Sequence, residues 1–357
     1  MAIPTTYLAA LLLAISSMLC WGSWANTMKS VTGPKWRFEL FYIDYAIGLL
    51  LCALFVAFTF GMLGSSITFL DNLEIVRKRQ QVMAAAAGAV FNLANMLLVA
   101  AISVAGMAIA FPVGIGLALI IGVVWSYILS PRGNPLFLFG GCLFVLAGIV
   151  ATAIAYSVLQ KKKAAEAPKQ PQPQPRDYHR GRSSSSAKPS QWKGIVLSLV
   201  SGVLMGSFYP LVEQARRDDI EMGAYAIAVL FAVGVFLSTP IYSLFFMNLP
   251  VQGQPVSPLK YLKGTGRQHA FGLLGGAIWC VGAIANFVAA SAPPAVQVGP
   301  ATSYALGQGA TLISTLWGLL VWKEFEGAPA TARSFIGGAL VLYVIGLALV
   351  AAAPLFA

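Results

Sequence analysis

The sequence predicts an all-α polytopic membrane protein with ten transmembrane helices, arranged as an inverted 5+5 repeat. Of its 357 residues, 58% are apolar and 10% are charged, and the mean hydropathy is +0.77. Soluble domains carry about 25% charged residues, so this chain has too few polar side chains to cover a soluble surface. Apolar tracts as long as one helical crossing, about 20 residues, recur along the chain. A lipid-spanning β-barrel would instead show alternating segments of about 10 residues.

The tracts define ten spans in two halves. Those of the first half are Tyr7–Thr27, Glu39–Leu63, Val82–Ser103, Gly106–Leu129 and Pro135–Leu159. Those of the second half are Gly194–Glu213, Gly223–Met247, Ala270–Ser291, Val296–Trp322 and Ser334–Ala353. Residues 1–160 thus form one five-helix repeat and residues 194–357 the other.

Residues 161–193 form a basic linker between the halves. Alternating Pro and Gln, a run of serines and few apolar residues predict a disordered segment that buries no core. The linker carries nine Lys or Arg and two acids, and so supplies +7 of the net charge of +11. We interpret this charge as a topology signal and a contact for anionic lipid, ahead of any nucleic-acid role.

The distribution of basic residues predicts the orientation. Seventeen of the 23 Lys and Arg fall on the side of the linker and six on the other side. The positive-inside rule then places the linker in the cytoplasm and both termini outside a plasma or inner cell membrane. Because each half has an odd number of spans, the two halves must be inverted relative to each other.

Short similarities between the halves favour an inverted repeat. They occur in the same order in both halves: Gly22-Ser23-Trp24 with Gly206-Ser207-Phe208, Ala94-Asn95 with Ala285-Asn286, Pro112 with Pro300, and Gly140-Gly141 with Gly337-Gly338.

Polar and aromatic residues within the spans form the predicted substrate site. Asn and Gln offer both donors and acceptors to a small neutral ligand, and Trp can stack on a flat heterocycle. The alternative is hydrogen bonding between helices or, for Trp24, anchoring at the membrane interface. The predicted site residues are Trp21, Trp24, Asn26, Asn92, Asn95, Asn286, Tyr304 and Gln308. Of these, Trp21, Asn92, Tyr304 and Gln308 are expected to face one central cavity.

Two prolines and two acids complete the predicted site. Pro112 and Pro300 are expected to break their helices beside the ligand, as matched discontinuities do in inverted-repeat carriers; a plain packing kink is the alternative. Asp44 and Glu213 are the candidates for proton coupling, because ionisable groups within a membrane are usually functional. An ion pair between Asp44 and Lys29 is the structural alternative.

The sequence gives little basis for an enzyme or a metal site. The four cysteines lie in apolar tracts without a Cys-x-x-Cys motif, and the two histidines lie in polar connections. The spans contain no motif that would support catalysis. We therefore predict no catalytic residue, no metal and no cofactor.

Two runs resemble the ureide permease family: CWGSWANTMK from Cys20 to Lys29, and WRFELFYIDY from Trp36 to Tyr45. The ends of the halves look like the wider drug/metabolite transporter superfamily, with Trp322-Lys323-Glu324 leading through Gly327 and Pro329 to Gly337, Gly338 and Leu340. The resemblance implies proton-linked uptake of ureides and related oxo-heterocycles such as allantoin, uracil and hydantoins. Eukaryotic members carry a P-loop-like stretch in the central loop, which this linker lacks.

The predicted function is a secondary transporter (permease) for a small, flat, neutral nitrogenous solute, with protons as the coupling ion. Sugar uptake and export of drugs or metabolites are the transporter alternatives, and a non-transporting membrane scaffold is the alternative of another class. The sequence leaves the oligomeric state open, with a homodimer as one alternative.

Overall fold

The computed structural model describes residues 1–33, 36–63, 67–166, 191–251 and 254–356. Within these residues the chain is helical and contains no strand. Ten of its helical segments are long and apolar enough to cross a membrane. The predicted all-α class and the ten spans are therefore confirmed.

The helices of the first half are α1 (Tyr7–Ser23), α2 (Ala25–Lys29), α3 (Phe38–Thr59), α4 (Phe69–Ile75), α5 (Lys78–Ala105), α6 (Met107–Leu129) and α7 (Pro135–Glu166). Those of the second half are α8 (Gln191–Arg216), α9 (Ala224–Asn248), α10 (Gly266–Ala290), α11 (Pro300–Gln308), α12 (Ala310–Leu316) and α13 (Ala330–Ala352). A π-helix, Trp317–Val321, extends α12.

The helices extend into both ends of the predicted linker, since α7 continues to Glu166 and α8 begins at Gln191. The intervening residues 167–190, on which the prediction of disorder mainly falls, lie outside the described residues. The face of the bundle where α7 ends and α8 begins is called the linker side below.

The first and ninth spans each contain one tighter turn, at a residue that keeps right-handed helical dihedral angles. Trp24 separates α1 from α2, and the N–H of Thr27 bonds to the carbonyl of Trp24 only three residues back. Gly309 separates α11 from α12 in the same manner, with its N–H on the carbonyl of Leu306. These tighter turns bring both irregular segments beside the cavity described below.

The predicted helix breaks at the prolines are not found. Pro112 lies inside α6, which is continuous from Met107 to Leu129. Pro300 is the first residue of α11, where a backbone N–H would have no helical acceptor and its absence costs nothing. The tighter turn of the ninth span lies nine residues after Pro300, at Gly309.

Glycines permit two close helix crossings, α3 with α10 and α5 with α9. A Cβ atom at Gly48 or Gly276 would lie about 2 Å from a backbone oxygen of the facing helix, and the same holds for Gly88 and Gly234. α3 and α9 are the second spans of their halves, and α5 and α10 are the third. Each crossing therefore joins the second span of one half to the third span of the other. Gly106 and Gly299, which precede α6 and α11, also share one left-handed conformation, with φ of 79° and 80°. These matches support the inverted repeat, which stays a prediction.

Candidate functional site

A cavity of about 450 Å³ runs from the middle of the bundle to the linker side. Its walls come from both halves of the chain, chiefly α1, α2, α5, α7 and α12, with further residues from α6, α8, α10 and α11. Trp21 and Trp279 lie at its deep end, while Lys29, Tyr156 and Glu324 lie near the ends of their helices on the linker side. Lys29 is 45% exposed and Glu324 is 26% exposed, so the cavity meets solvent at that end.

Aromatic rings form the deep end of the cavity. The rings of Trp21 and Trp279 stack with centroids 5.6 Å apart and planes 12° apart. Phe91 lies 4.1 Å from Trp279 between ring centroids, and Phe208 meets Trp21 edge-on at 6.5 Å. Such an assembly offers apolar π-faces on which a flat ring can rest.

Two glycines hold the Trp21 ring in place. A Cβ atom at Gly307 would lie 2.6 Å from Cζ3 of Trp21, and one at Gly282 would lie 2.8 Å from its Cδ1. Because α10 and α11 present bare backbone to the ring, the indole is confined between them. This confinement fixes the ring before a ligand binds, which lowers the entropic cost of binding.

Two buried donors beside the aromatic rings have no protein partner. The indole Nε1 of Trp21 and the amide Nδ2 of Asn95 are both buried without a hydrogen bond, and both residues line the cavity. The side chain of Gln308 also lines it, and among the described residues it forms no hydrogen bond. Nε1 of Trp21 lies on the side of the ring that faces Gly282 of α10. The amides of Asn95 and Gln308 are therefore the groups suited to receive the polar edge of a ligand, since an unsatisfied buried donor costs about 1–3 kcal/mol.

Five of the eight predicted substrate-site residues line this cavity: Trp21, Trp24, Asn26, Asn95 and Gln308. Of these, Asn26 is already engaged, because its amide donates to the carbonyl of Ser23 at 2.9 Å and accepts from Nε1 of Trp322 at 2.6 Å. Its role is to hold α2 against the end of the ninth span.

The other three, Asn92, Asn286 and Tyr304, join helices instead of lining the cavity. Asn92 is fully buried, and its amide donates to the hydroxyls of Ser238 and Thr239 on α9, each at 2.9 Å. The prediction that Asn92 faces the cavity is thus not met, because α5 turns this residue toward α9.

Asn286 and Tyr304 are likewise fully buried. The amide of Asn286 donates to Ser17 Oγ at 3.1 Å and to the carbonyl of Ser303 at 2.9 Å, and so ties α10 to α1 and α11. The hydroxyl of Tyr304 donates to the carbonyl of Ala118 at 3.2 Å on α6. Tyr304 thus lies behind Phe208, whose ring covers it from the cavity side at 6.1 Å between centroids.

The two acids predicted to couple protons lie away from the cavity. Asp44 accepts from Tyr261 Oη at 2.6 Å and contacts His269 Nδ1 at 2.9 Å, so it does not pair with Lys29. Burial, and after it the hydrogen bond to the Asp44 carboxylate, raises the pKa of Tyr261, which lies in the connection before α10. No cluster of three His, Cys, Asp or Glu suited to a metal ion occurs in the described part of the chain.

Glu213 lies at the end of α8, on the face opposite the linker side. Its carboxylate accepts from Arg216 Nη2 at 2.7 Å and from Arg217 Nε at 2.8 Å. Glu213 is thus tied to two guanidinium groups of its own helix end and does not line the cavity.

Sequence reasoning missed three residues at the mouth of the cavity. Lys29 pairs with Glu324, and the hydroxyl of Tyr156 donates to the same carboxylate. A signal was present, because Glu324 belongs to the Trp322-Lys323-Glu324 run that resembles the drug/metabolite transporter superfamily. Hydropathy alone placed Glu324 in a loop, and only the fold brings it beside Lys29.

Two family models match adjacent parts of the chain. The ureide permease model matches residues 41–189, and the sugar transport protein model matches residues 180–353. Ureide permease 1 of Arabidopsis thaliana is 23% identical over 97% of this chain and 96% of its own length. Ureide permease 2 of the same plant is 24% identical over the same shares.

The chain is similar to the ureide permeases. The resemblance predicted from the sequence is therefore confirmed, and it extends over nearly the whole chain. One protein of known crystal structure matches with a TM-score of 0.54 at 19% identity, over 97% of this chain and 98% of that chain, which supports the fold alone. Together with the ten apolar helices, these relatives establish a multi-pass membrane protein.

Proposed function

We propose that this protein is a secondary transporter for small, flat, neutral nitrogenous solutes, such as allantoin and other ureides, uracil or related oxo-heterocycles. The observation that carries the proposal is the stacked pair of Trp21 and Trp279 beside the unpartnered amides of Asn95 and Gln308. The names of the relatives, ureide permeases, support the same class of solute.

The cavity suits such a solute in size and polarity. Its volume of about 450 Å³ lies in the usual range for small-molecule sites, about 300–1,000 Å³. A flat ring on the Trp21 face would present its amide edges to Asn95 and Gln308, whose side chains provide both donors and acceptors. No charged side chain lies at this deep end, so a neutral solute avoids the cost of an unpaired buried charge.

Sugar uptake is the second candidate, favoured by the sugar transport model that matches residues 180–353. A sugar ring also packs on indole faces, and its hydroxyl groups bond to Asn and Gln. Export of drugs or metabolites by the same cavity and a scaffold without transport are further outcomes of the experiment below.

We propose the orientation that the basic residues predict, with the linker in the cytoplasm and both termini outside. The described cavity meets solvent on the linker side, so it corresponds to a state open to the cytoplasm. Coupling to protons belongs to the proposal as well, since accumulation of a neutral solute requires a second, driven species.

The test is counterflow in proteoliposomes, with labelled allantoin, uracil, glucose and alanine as probes and no ion gradient. We expect exchange of allantoin or uracil by the wild type, and at least a tenfold loss of affinity in Trp21→Ala. Trp192→Ala is the matched control, because Trp192 is 68% exposed on α8. Exchange of glucose alone would support sugar uptake, and exchange of no solute would support the scaffold.

A further inference from the structure

The mouth of the cavity contains one carboxylate whose two oxygens are separately engaged. Lys29 Nζ donates to one oxygen of Glu324, and Tyr156 Oη donates to the other. The three residues come from α2, α7 and the turn that follows the ninth span. All three line the cavity, so the cluster contacts the aqueous mouth through which a solute would enter.

The backbone before Glu324 is built to direct this side chain into the cavity. The π-helix Trp317–Val321 ends the ninth span, and Lys323 adopts a left-handed conformation with φ of 48°. The N–H of Glu324 then bonds back to the carbonyl of Gly318 at 2.9 Å. π-Helical turns and strained residues of this kind concentrate at functional sites.

Gly318 supplies the space for the carboxylate. A Cβ atom there would lie 2.9 Å from Oε2 of Glu324 and 3.0 Å from Oη of Tyr156. The close packing leaves Glu324 little freedom to turn away from its partners.

Few other charged groups face this carboxylate. Lys162, further along α7, donates to the carbonyl of Gly327 at 2.7 Å and pairs with Glu166 at 3.4 Å. Exposed charged residues of the same corner are Lys323, Glu326 and Arg333. Lys29 Nζ also lies over the ring of Trp322 at 4.3 Å from its centroid, so the ammonium makes a cation–π contact in the same position as the ion pair.

We propose that Glu324 is the proton-binding group of the transport cycle and that Lys29 is its internal counter-ion. The inference rests on the proposed function and goes further by assigning the coupling residue. Asp44 and Glu213 are tied to partners outside the cavity, whereas Glu324 meets the cavity and its solvent.

The step balances in charge and in protons. A proton from the aqueous mouth binds the Glu324 carboxylate and makes it a neutral acid. The Lys29 ammonium, still positive, then loses its ion pair and is stabilised by solvent and by the face of Trp322, which it already contacts. Release of the proton restores the carboxylate and the pair. Because Lys29 belongs to α2 and Glu324 follows the π-helix, each protonation removes one contact between the first span and the ninth, while the hydrogen bond from Trp322 to Asn26 remains.

The experiment compares two transport readouts in proteoliposomes, using whichever of allantoin and uracil the wild type exchanges. One is counterflow without a gradient, and the other is accumulation driven by an imposed pH gradient, with a trapped pH-sensitive dye to report proton entry. The variants are Glu324→Gln and Lys29→Ala. Glu326→Gln is the matched control, because it removes an exposed carboxylate two residues away.

Glu324→Gln is expected to keep counterflow, to lose its dependence on pH, and to lose both accumulation and proton entry. Lys29→Ala should move the pH midpoint of transport upward by about one pH unit or more, because removal of the cation favours the protonated acid. Glu326→Gln should behave as the wild type.

Two results would overturn the inference alone: pH-driven accumulation by Glu324→Gln, or loss of coupling in Asp44→Asn with Glu324→Gln still coupled. A wild type that exchanges solute without accumulating it would overturn the proton coupling of the proposed function and this inference with it. A purely structural ion pair would lower abundance in both variants and leave the pH profile of the surviving protein unchanged, which also overturns it. Absence of any wild-type counterflow overturns the proposed function and this inference with it.

Discussion

Asn92 Nδ2 lies 2.9 Å from Thr239 Oγ1, and this hydrogen bond joins α5 of the first half to α9 of the second. Three residues along the same helix, Asn95 has an amide nitrogen without a partner and lines the cavity. α5 thus carries two buried asparagines with different roles. Asn92 joins helices, and Asn95 lines the cavity proposed for the ligand. The pair provides a matched test of the site.

Asn92→Ala is expected to lower the stability of the folded protein by about 0.6–2 kcal/mol, the usual range for hydrogen bonds between membrane helices. The affinity of the surviving protein for solute should stay near that of the wild type. Abundance in the membrane and thermal unfolding in detergent measure the first quantity, and binding to the same preparation measures the second. Weaker binding of solute with normal abundance would show that Asn92 contacts the ligand after all.

Asn95→Ala and Gln308→Ala should show the converse pattern. Loss of a hydrogen bond to a buried group costs about 1–3 kcal/mol, so the dissociation constant should rise about 5- to 150-fold. Abundance should stay near wild type, since neither amide nitrogen bonds to the protein. Asn248→Ala, at the exposed end of α9, is the control. Unchanged affinity in both variants would contradict the cavity assignment.

Gly307→Ala should weaken solute binding through Trp21. The added methyl group would lie 2.6 Å from the indole ring, so the ring must leave its place against Trp279. We expect at least a tenfold loss of affinity and a change in tryptophan fluorescence. Gly337→Ala is the control, because a Cβ there meets no atom within 4 Å; it should stabilise α13 by about 0.5–1 kcal/mol. Normal binding by Gly307→Ala would show that the Trp21 position is not required.

The orientation can be tested with an impermeant thiol reagent on intact cells, after replacement of the native cysteines. Ser184→Cys, in the linker, should stay unlabelled until the membrane is permeabilised. Asp219→Cys should be labelled at once, since its side chain is 79% exposed on the opposite face. The reverse pattern would place the linker outside the cell.

The sequence by itself determined the membrane class, the ten spans and the family resemblance. The class and the spans depend on the length and composition of apolar tracts, and the resemblance depends on short local runs of sequence. None of them depends on which helices pack against each other. Trp21 and Gln308 were also recognisable, because polar and aromatic groups within a span are costly unless they are used.

The tertiary structure decided which polar residues reach the cavity. Asn92 and Asn95 are the same residue type on one apolar helix, and only the packing of α5 against α9 separates their roles. The ion pair at the cavity mouth could be found only from the fold for the same reason, because Lys29 and Glu324 are 295 residues apart in the chain. Their pairing depends on the left-handed turn at Lys323 and on the space at Gly318, which a hydropathy pattern does not encode.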